Sequence, residues 1–330
     1  MKKITIKDVA QEAGVSTATI SRVLNNTGYV SEGARRTILE TIERLNYRPN
    51  AIARSLKQDR SRMVGIVLPD MTNPYFMKLS RSLQKRLRQS GLHGMFMDTY
   101  GDPDMELEAL NGLMMMRVEA VVLAGTGRNV PAIRKMVRGS GIPFVLVDRK
   151  LPGVAADLAA EENEAAAHEA AAELAQRHEA IGILAGPDWI STARERLDGA
   201  AAALREAGVA LPASYVFAGD LTRESGREGI LTFLQLPKPP TAVFSVNNEM
   251  TFGLYLGLRE AGKALDSIEV ASFGDLEFSG LFGHRLSIVE QCPDEVGQAA
   301  AELLIRRLAH AEKGEGTESR TFVPTLVRKW

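Results

Sequence analysis

The 330-residue sequence contains one cysteine, Cys292. A single thiol builds neither an intrachain disulfide framework nor a Cys-rich metal site, which suits a reducing cytoplasm. Also absent is any uncharged apolar run of about 18 residues, the length a membrane-spanning helix needs. The start, MKKITIKDVAQEAG, is charged and leads into no apolar segment of the secretory kind, so neither export nor membrane insertion is expected. Net charge is nearly absent too, at −1.

That near-zero total hides a segregation. Residues 1–60 carry eleven basic against six acidic residues, a net +5, whereas the remainder carries 29 basic against 35 acidic. Attraction for a polyanion is therefore confined to the N-terminal sixth of the chain. At 45% hydrophobic content, the length is too great for one ordinary core and predicts two or three compact units.

Within the basic segment, Thr5 and Asp8 form a T-x-x-D capping pattern, and Ile6, Val9, Ala10 and Ala13 recur at helical spacing until Gly14. Gly14-Val15-Ser16 has the length of a tight turn, with Ser16 as N-cap of a second helix from Thr17. On that helix Ile20, Val23 and Leu24 share one face, while Thr17, Ala18, Ser21 and Arg22 fall opposite. Such a face fits a major groove about 12 Å wide, where Arg22 can donate two hydrogen bonds to guanine. Thr19, Ser21 and Asn25 are candidate phosphate contacts. A plain three-helix bundle with a solvated face has the same spacing.

A third helix is predicted over Ser31–Leu45, with Ile38, Leu39, Ile42 and Leu45 apolar. Beyond Pro49, the segment from Asn50 to Lys57 has room for two helical turns, too few to be stable alone in water. Its Ala53 is small enough to approach a minor-groove floor, and Leu56 has the size to wedge between base pairs. An ordinary interdomain linker is the alternative.

From Met63 the pattern changes to short apolar runs separated by helical stretches. The runs are 63–68, 95–97, 120–123, 143–147, 181–184, 242–245 and 270–273, and a helix near Phe76–Ser90 follows the first. Fully apolar strands predict parallel sheets covered on both faces, here two doubly wound subdomains. Ligands in such folds lie beyond the carboxyl ends of the strands, which makes a cleft between two lobes the expected pocket. Past those ends stand Asp70 to Phe76, Asp148-Arg149, Ser191 to Arg196, Asn247-Asn248, Asp275 and Gln291. Carboxylates, amides and a guanidinium bind paired hydroxyls, and Tyr75, Phe76 or Trp189 can cover a ring face, a chemistry that suits a sugar. The C-terminus reads as a helix over Asp294–His310 and a strand-like Thr321–Val327.

Enzymatic readings find little support. Gly125-Thr126-Gly127 lacks the third glycine of a dinucleotide fingerprint, and His168 and His178 stand ten apart without the spacing of a zinc site. No G-x-S-x-G elbow, P-loop or inward carboxylate pair is identifiable, so no catalytic residue, cofactor or metal is expected, and an α/β enzyme is a remote alternative.

Residues 4–57, ITIKDVAQEAGVSTATISRVLNNTGYVSEGARRTILETIERLNYRPNAIARSLK, resemble the headpiece of the LacI/GalR family of bacterial repressors. The motifs NPYF, VDR, STARERLDG, NNEMTFG, SFGDLEF and VEQ extend the resemblance to a core like the periplasmic sugar-binding proteins. It implies a helix-turn-helix headpiece over 1–49, a hinge helix and linker over 50–60, and an effector-binding and dimerisation core over 61–330. The core's subdomains would be 61–160 plus 292–320, and 161–291 plus 321–330. Thr17, Ala18 and Arg22 become the base readers, and Asn50, Ala53 and Leu56 belong to the DNA-bound hinge. Phe76, Arg149, Arg196, Asn247 and Asp275 become the foremost effector contacts, with Asn73, Asp148, Ser191 and Gln291 second. One departure is Gly274, where the family commonly has the first member of an Asp-Asp pair. The resemblance implies a cytoplasmic homodimer on a pseudo-palindromic operator of double-stranded DNA, controlled by a small molecule. A sugar leads, and a purine or nucleoside, a sugar acid or a sugar phosphate stay open. A free-standing transport protein would share the core without the headpiece.

Replacing Arg22 by Ala should cost about 1–3 kcal/mol of operator binding and relax discrimination at one base pair per half-site. Binding titrations on operator variants check this; equal weakening on every sequence would contradict a base-reading role.

Overall fold

The computed structural model describes residues 4–25, 27–47, 61–276, 279–281, 285–310 and 316–329. Asn50, Ala53 and Leu56 of the expected hinge, and the side chain of Asn25, lie outside the described residues. The chain divides into two compact units, residues 1–61 and 62–330.

The smaller unit consists of helices α1 (Ile6–Glu12), α2 (Thr17–Asn25) and α3 (Glu32–Arg44). Their ends follow from local chemistry. The Asp8 carboxylate accepts from the Thr5 N–H at 2.7 Å, Ser16 Oγ accepts from Thr19 N–H at 3.2 Å, and Ser31 Oγ accepts from Ala34 N–H at 3.4 Å. These caps satisfy amides that the first helical turn leaves unbonded. Val9, Ala10, Ile20, Val23 and Ile38 close a small core between the helices.

The larger unit contains two six-stranded sheets. Strands β1 (Met63–Leu68), β2 (His93–Asp98), β3 (Ala120–Leu123), β4 (Phe144–Val147) and β5 (Asp157–Glu161) belong to the first lobe. Strands β6 (Ile181–Ala185), β7 (Val216–Ala218), β8 (Ala242–Ser245), β9 (Glu269–Phe273) and β10 (Leu286–Glu290) form the second. The chain then returns through the helix Pro293–Ala309 to β11 (Ser319–Phe322) in the first sheet, and ends in β12 (Thr325–Lys329) in the second. The orders are β11-β5-β4-β3-β1-β2 and β12-β10-β9-β8-β6-β7. All pairings are parallel except β10 with β12. Both orders reverse direction next to their first strand, at β1/β3 and at β6/β8, which is where a doubly wound sheet opens a crevice.

Three strands were not expected from the sequence: β5, β7 and β10. The single strand expected over 321–327 is instead two, interrupted at Val323-Pro324 where the chain passes from one sheet to the other. Proline has no N–H to give a ladder, so it suits this passage. The lobes are joined by three passages, after β5, after β10 and after β11, and these are laced together. Glu162 N–H donates to Phe322 O at 2.9 Å, and the Cys292 thiol donates to Val323 O at 3.6 Å.

Among the described residues no helix is long and apolar enough to cross a membrane, and no cluster of His, Cys, Asp and Glu has the arrangement of a metal site. Ile20→Ala should destabilise the small unit by about 2–4 kcal/mol, because its core has few other large side chains to collapse into the gap. Calorimetry should show that loss in the headpiece transition alone, with the melting of the α/β unit unchanged.

Candidate functional site

The ends of β1, β2, β4, β6, β7, β8 and β10 open on a cleft of about 530 Å³ between the two lobes. It has the size of an ordinary small-molecule site. Of the nine expected effector contacts, Asn73, Phe76, Asp148, Arg149, Arg196, Asn247 and Gln291 line it. Ser191 and Asp275 do not. Ser191 is buried, and its Oγ accepts the Lys150 N–H at 2.8 Å, bonding one lobe to the other. Asp275 is turned to Ser279, whose hydroxyl donates to its carboxylate at 2.6 Å.

Tyr75 and Trp189, read as ring covers, also line the cleft, as do Asp70 and Asn248. Tyr100 and Asp220 to Thr222 were missed. Tyr100 stands just past β2, so its strand-end position was a usable signal. Asp220 follows β7, a half-buried strand of only three residues, Val216–Ala218.

The charged groups are deeply buried. Asp148, Arg149 and Arg196 are each 7% exposed. Asp148 pairs with Arg149 Nε at 3.5 Å and adopts a left-handed φ of 62°, a strained backbone for a residue with a side chain. Burial pushes the Asp148 carboxyl above its ordinary range, against the pull of Arg149 and Arg196. Burial likewise holds both guanidiniums below theirs, with Asp148 opposing.

Arg196 is anchored on three sides. Its Nε donates to Asn163 Oδ1 at 2.8 Å, its Nη1 to Val246 O at 2.9 Å, and its guanidinium lies 3.7 Å from the Phe273 ring centroid. Arg149 Nη1 donates to Gly125 O at 3.2 Å, whereas its buried Nε makes no hydrogen bond. The Tyr75 hydroxyl lies beside Asp148 but makes no hydrogen bond of good geometry. Burial, then Glu161 and Asp148, raises its pKa well above the usual phenol value, so it stays protonated and able to donate. Asn247 has its polar ends engaged, accepting from Met250 N–H at 2.9 Å and donating to Leu221 O at 2.8 Å.

Contacts bridge the mouth. Asn73 and Asn248 exchange hydrogen bonds at 3.2 and 3.4 Å. Arg128 stacks 4.3 Å from the centre of the Trp189 ring, beside Gly127, where a Cβ would meet Trp189 O at 2.1 Å.

On the small unit, Thr17, Ala18 and Arg22 are exposed together on α2, opposite buried Ile20 and Val23. Ser21 is half-buried and Ser16 caps the helix. Thr19 is half-buried, and its hydroxyl bonds Ser16 Oγ at 2.9 Å.

Residues 61–325 match the family described as periplasmic binding proteins and sugar binding domain of LacI family, and residues 5–50 match bacterial regulatory proteins, lacI family. The ribose operon repressor of Escherichia coli K12 is 32% identical over 92% of this chain and 93% of its own. The HTH-type transcriptional repressor PurR of Photobacterium profundum is 30% identical over 98% and 97%. A crystal structure of the lac repressor dimer bound to operator and the anti-inducer ONPF superposes with a TM-score of 0.82, at 24% identity over 99% of both chains.

Gly127 has a φ of 84°, so Gly127→Ala adds both backbone strain and a collision with Trp189. The substitution should cost about 1–3 kcal/mol in thermal denaturation and shift tryptophan emission to the red. Unchanged emission would contradict the seating of this loop on Trp189.

Proposed function

The chain belongs to the LacI family of bacterial regulatory proteins, and on that premise we propose that it represses transcription from a pseudo-palindromic operator under control of a neutral, polyhydroxylated ligand in the cleft. It is a DNA-binding transcriptional regulator and not an enzyme, as its relatives are repressors. The repressing sign, the two-fold operator, the homodimer that a two-fold site requires and a cytoplasmic location beside the chromosome are parts of the proposal.

The observation that carries the ligand class is charge balance. The cleft is lined by three carboxylates, Asp70, Asp148 and Asp220, and two guanidiniums, Arg149 and Arg196. A phosphate or acid ligand would need surplus positive charge, which this lining lacks. Sugar hydroxyls both donate and accept, so they serve carboxylates, amides and guanidiniums alike. Resemblance to the ribose operon repressor favours a pentose within that class. A purine is the second reading, supported by the aromatic surfaces of Tyr75, Phe76, Tyr100 and Trp189 in the lining and by the likeness to PurR.

A thermal-shift panel of D-ribose, other pentoses and hexoses, hypoxanthine, guanine and sugar phosphates tests this. A ligand at a hundred times its Kd should stabilise by about 2.7 kcal/mol. A neutral sugar should do so in the native protein and fail with Arg196→Ala. A response to hypoxanthine alone would replace the sugar reading, and a response only to phosphorylated sugars would overturn the charge argument.

A further inference from the structure

Glu161 closes β5, is 1% exposed and does not line the cleft. Its two oxygens are both engaged. One accepts the Cys292 N–H at 2.6 Å and the other accepts from Gln291 Nε2 at 2.8 Å. This buried acid therefore joins the passage after β5 to the passage after β10, one residue from the point where Glu162 bonds the third.

An ionised carboxylate can only accept, whereas an amide has a donating and an accepting end. Facing Glu161, Gln291 must present its NH2 group, which turns its Oε1 the other way. Oε1 then lies 2.8 Å from where a Cβ on residue 274 would stand, and accepts no hydrogen bond from the described residues. Residue 274 is a glycine with a φ of 92°, so both its backbone and its missing side chain leave that place to the amide oxygen. Gln291 itself lines the cleft.

We infer that Glu161 is a positioning residue of the effector site: by accepting from Gln291 it fixes the amide so that an acceptor, not a donor, faces a ligand hydroxyl. Gly274 is the complementary half of the same arrangement. The inference rests on the cleft being the ligand site. It explains why a carboxylate is kept where burial penalises its charge and raises its pKa.

The test uses E161Q, Q291E and the exchange E161Q/Q291E in the full-length protein. In E161Q the new amide can still accept from Cys292 N–H, but its NH2 meets that of Gln291 and forces the latter to turn over. In the exchange, the amide introduced at position 161 donates to a carboxylate at position 291, and a carboxylate oxygen again faces the cleft. D-ribose, or whichever neutral sugar of the panel the native protein binds, should bind E161Q about tenfold more weakly. The exchange should recover affinity to within about threefold. Without sugar, Q291E should melt lowest, because a second acid then faces the buried Glu161, and the exchange should regain most of that loss. Native affinity in E161Q would overturn the inference. So would an exchange that melts at the sum of its two single losses, a result readable whether or not any sugar binds. If the native protein binds no sugar, the ligand proposal fails while the melting comparison still decides the role of Glu161.

Discussion

A parallel sheet covered on both faces has nowhere to keep polar groups except its ends, and the organisation of the larger unit follows from that constraint. Strands β3, β4, β6 and β8 are buried along their whole length. Because their pairings are parallel, the chain leaves each of them at the same edge of its sheet. Polar residues follow there: Asp148-Arg149 after β4, Asp188 to Arg196 after β6, Asn247-Asn248 after β8. A recognition site assembled from distant segments is thus a consequence of burying the strands. Two sheets with the same strand order double the effect, one set of strand ends on each side of the cleft.

Charges placed there are far from bulk water, and each must be compensated locally. Arg196 meets an aromatic face, a backbone carbonyl and the Asn163 amide oxygen. Arg149 has Asp148 and the Gly125 carbonyl. That carbonyl is itself held in place. Glu106, fully buried, accepts from Thr126 N–H at 2.6 Å, from the Thr126 hydroxyl at 3.0 Å and from Asn129 Nδ2 at 2.9 Å, and so fixes the loop that follows β3. The residues that face the cleft are therefore supported by a second layer that does not. A rigid support of this kind lowers the ordering cost of binding.

The sequence made legible whatever was written as apolar periodicity. The runs 63–68, 120–123 and 242–245 contain little but apolar residues, and each coincides with a strand. DLAAE carries charges that are satisfied only in three dimensions, such as Asp157 bonding Arg307 at 2.7 Å, and LSIVE breaks its apolar residues with Ser287, whose hydroxyl donates to Glu173 at 3.2 Å, so neither reads as a continuous apolar run. VFA is apolar but no longer than the run 95–97 and only half-buried, and it went unread. Asp220 was hidden with it, whereas Asp148 follows a strand that is plain in the sequence. Gly274 was legible as a departure from its family but not as a cause. Its φ of 92° and the proximity of Gln291 Oε1 are tertiary facts that no sequence pattern announces. Asp275 stands past a strand end but outside the cleft lining, because a strand end fixes where a residue stands, not where its side chain turns, and here it accepts from Ser279.

The balance between the lobes sets what a ligand must do. Across the mouth stand the Asn73–Asn248 exchange, the Lys150 amide on Ser191, the Lys150–Glu195 pair and Arg128 on Trp189. Neutral hydrogen bonds are worth about 0.5–1.5 kcal/mol net and exposed cation–π contacts about 0.5–1 kcal/mol, so these few contacts contribute only a few kcal/mol across the mouth. An interaction made equally well at any lobe angle cannot shift that balance, however strong it is. Arg149 belongs to the first lobe and Arg196 to the second, so a ligand that bonds both does so only at one separation. A molecule that fills one side alone can bind tightly and still leave the angle between the lobes unchanged.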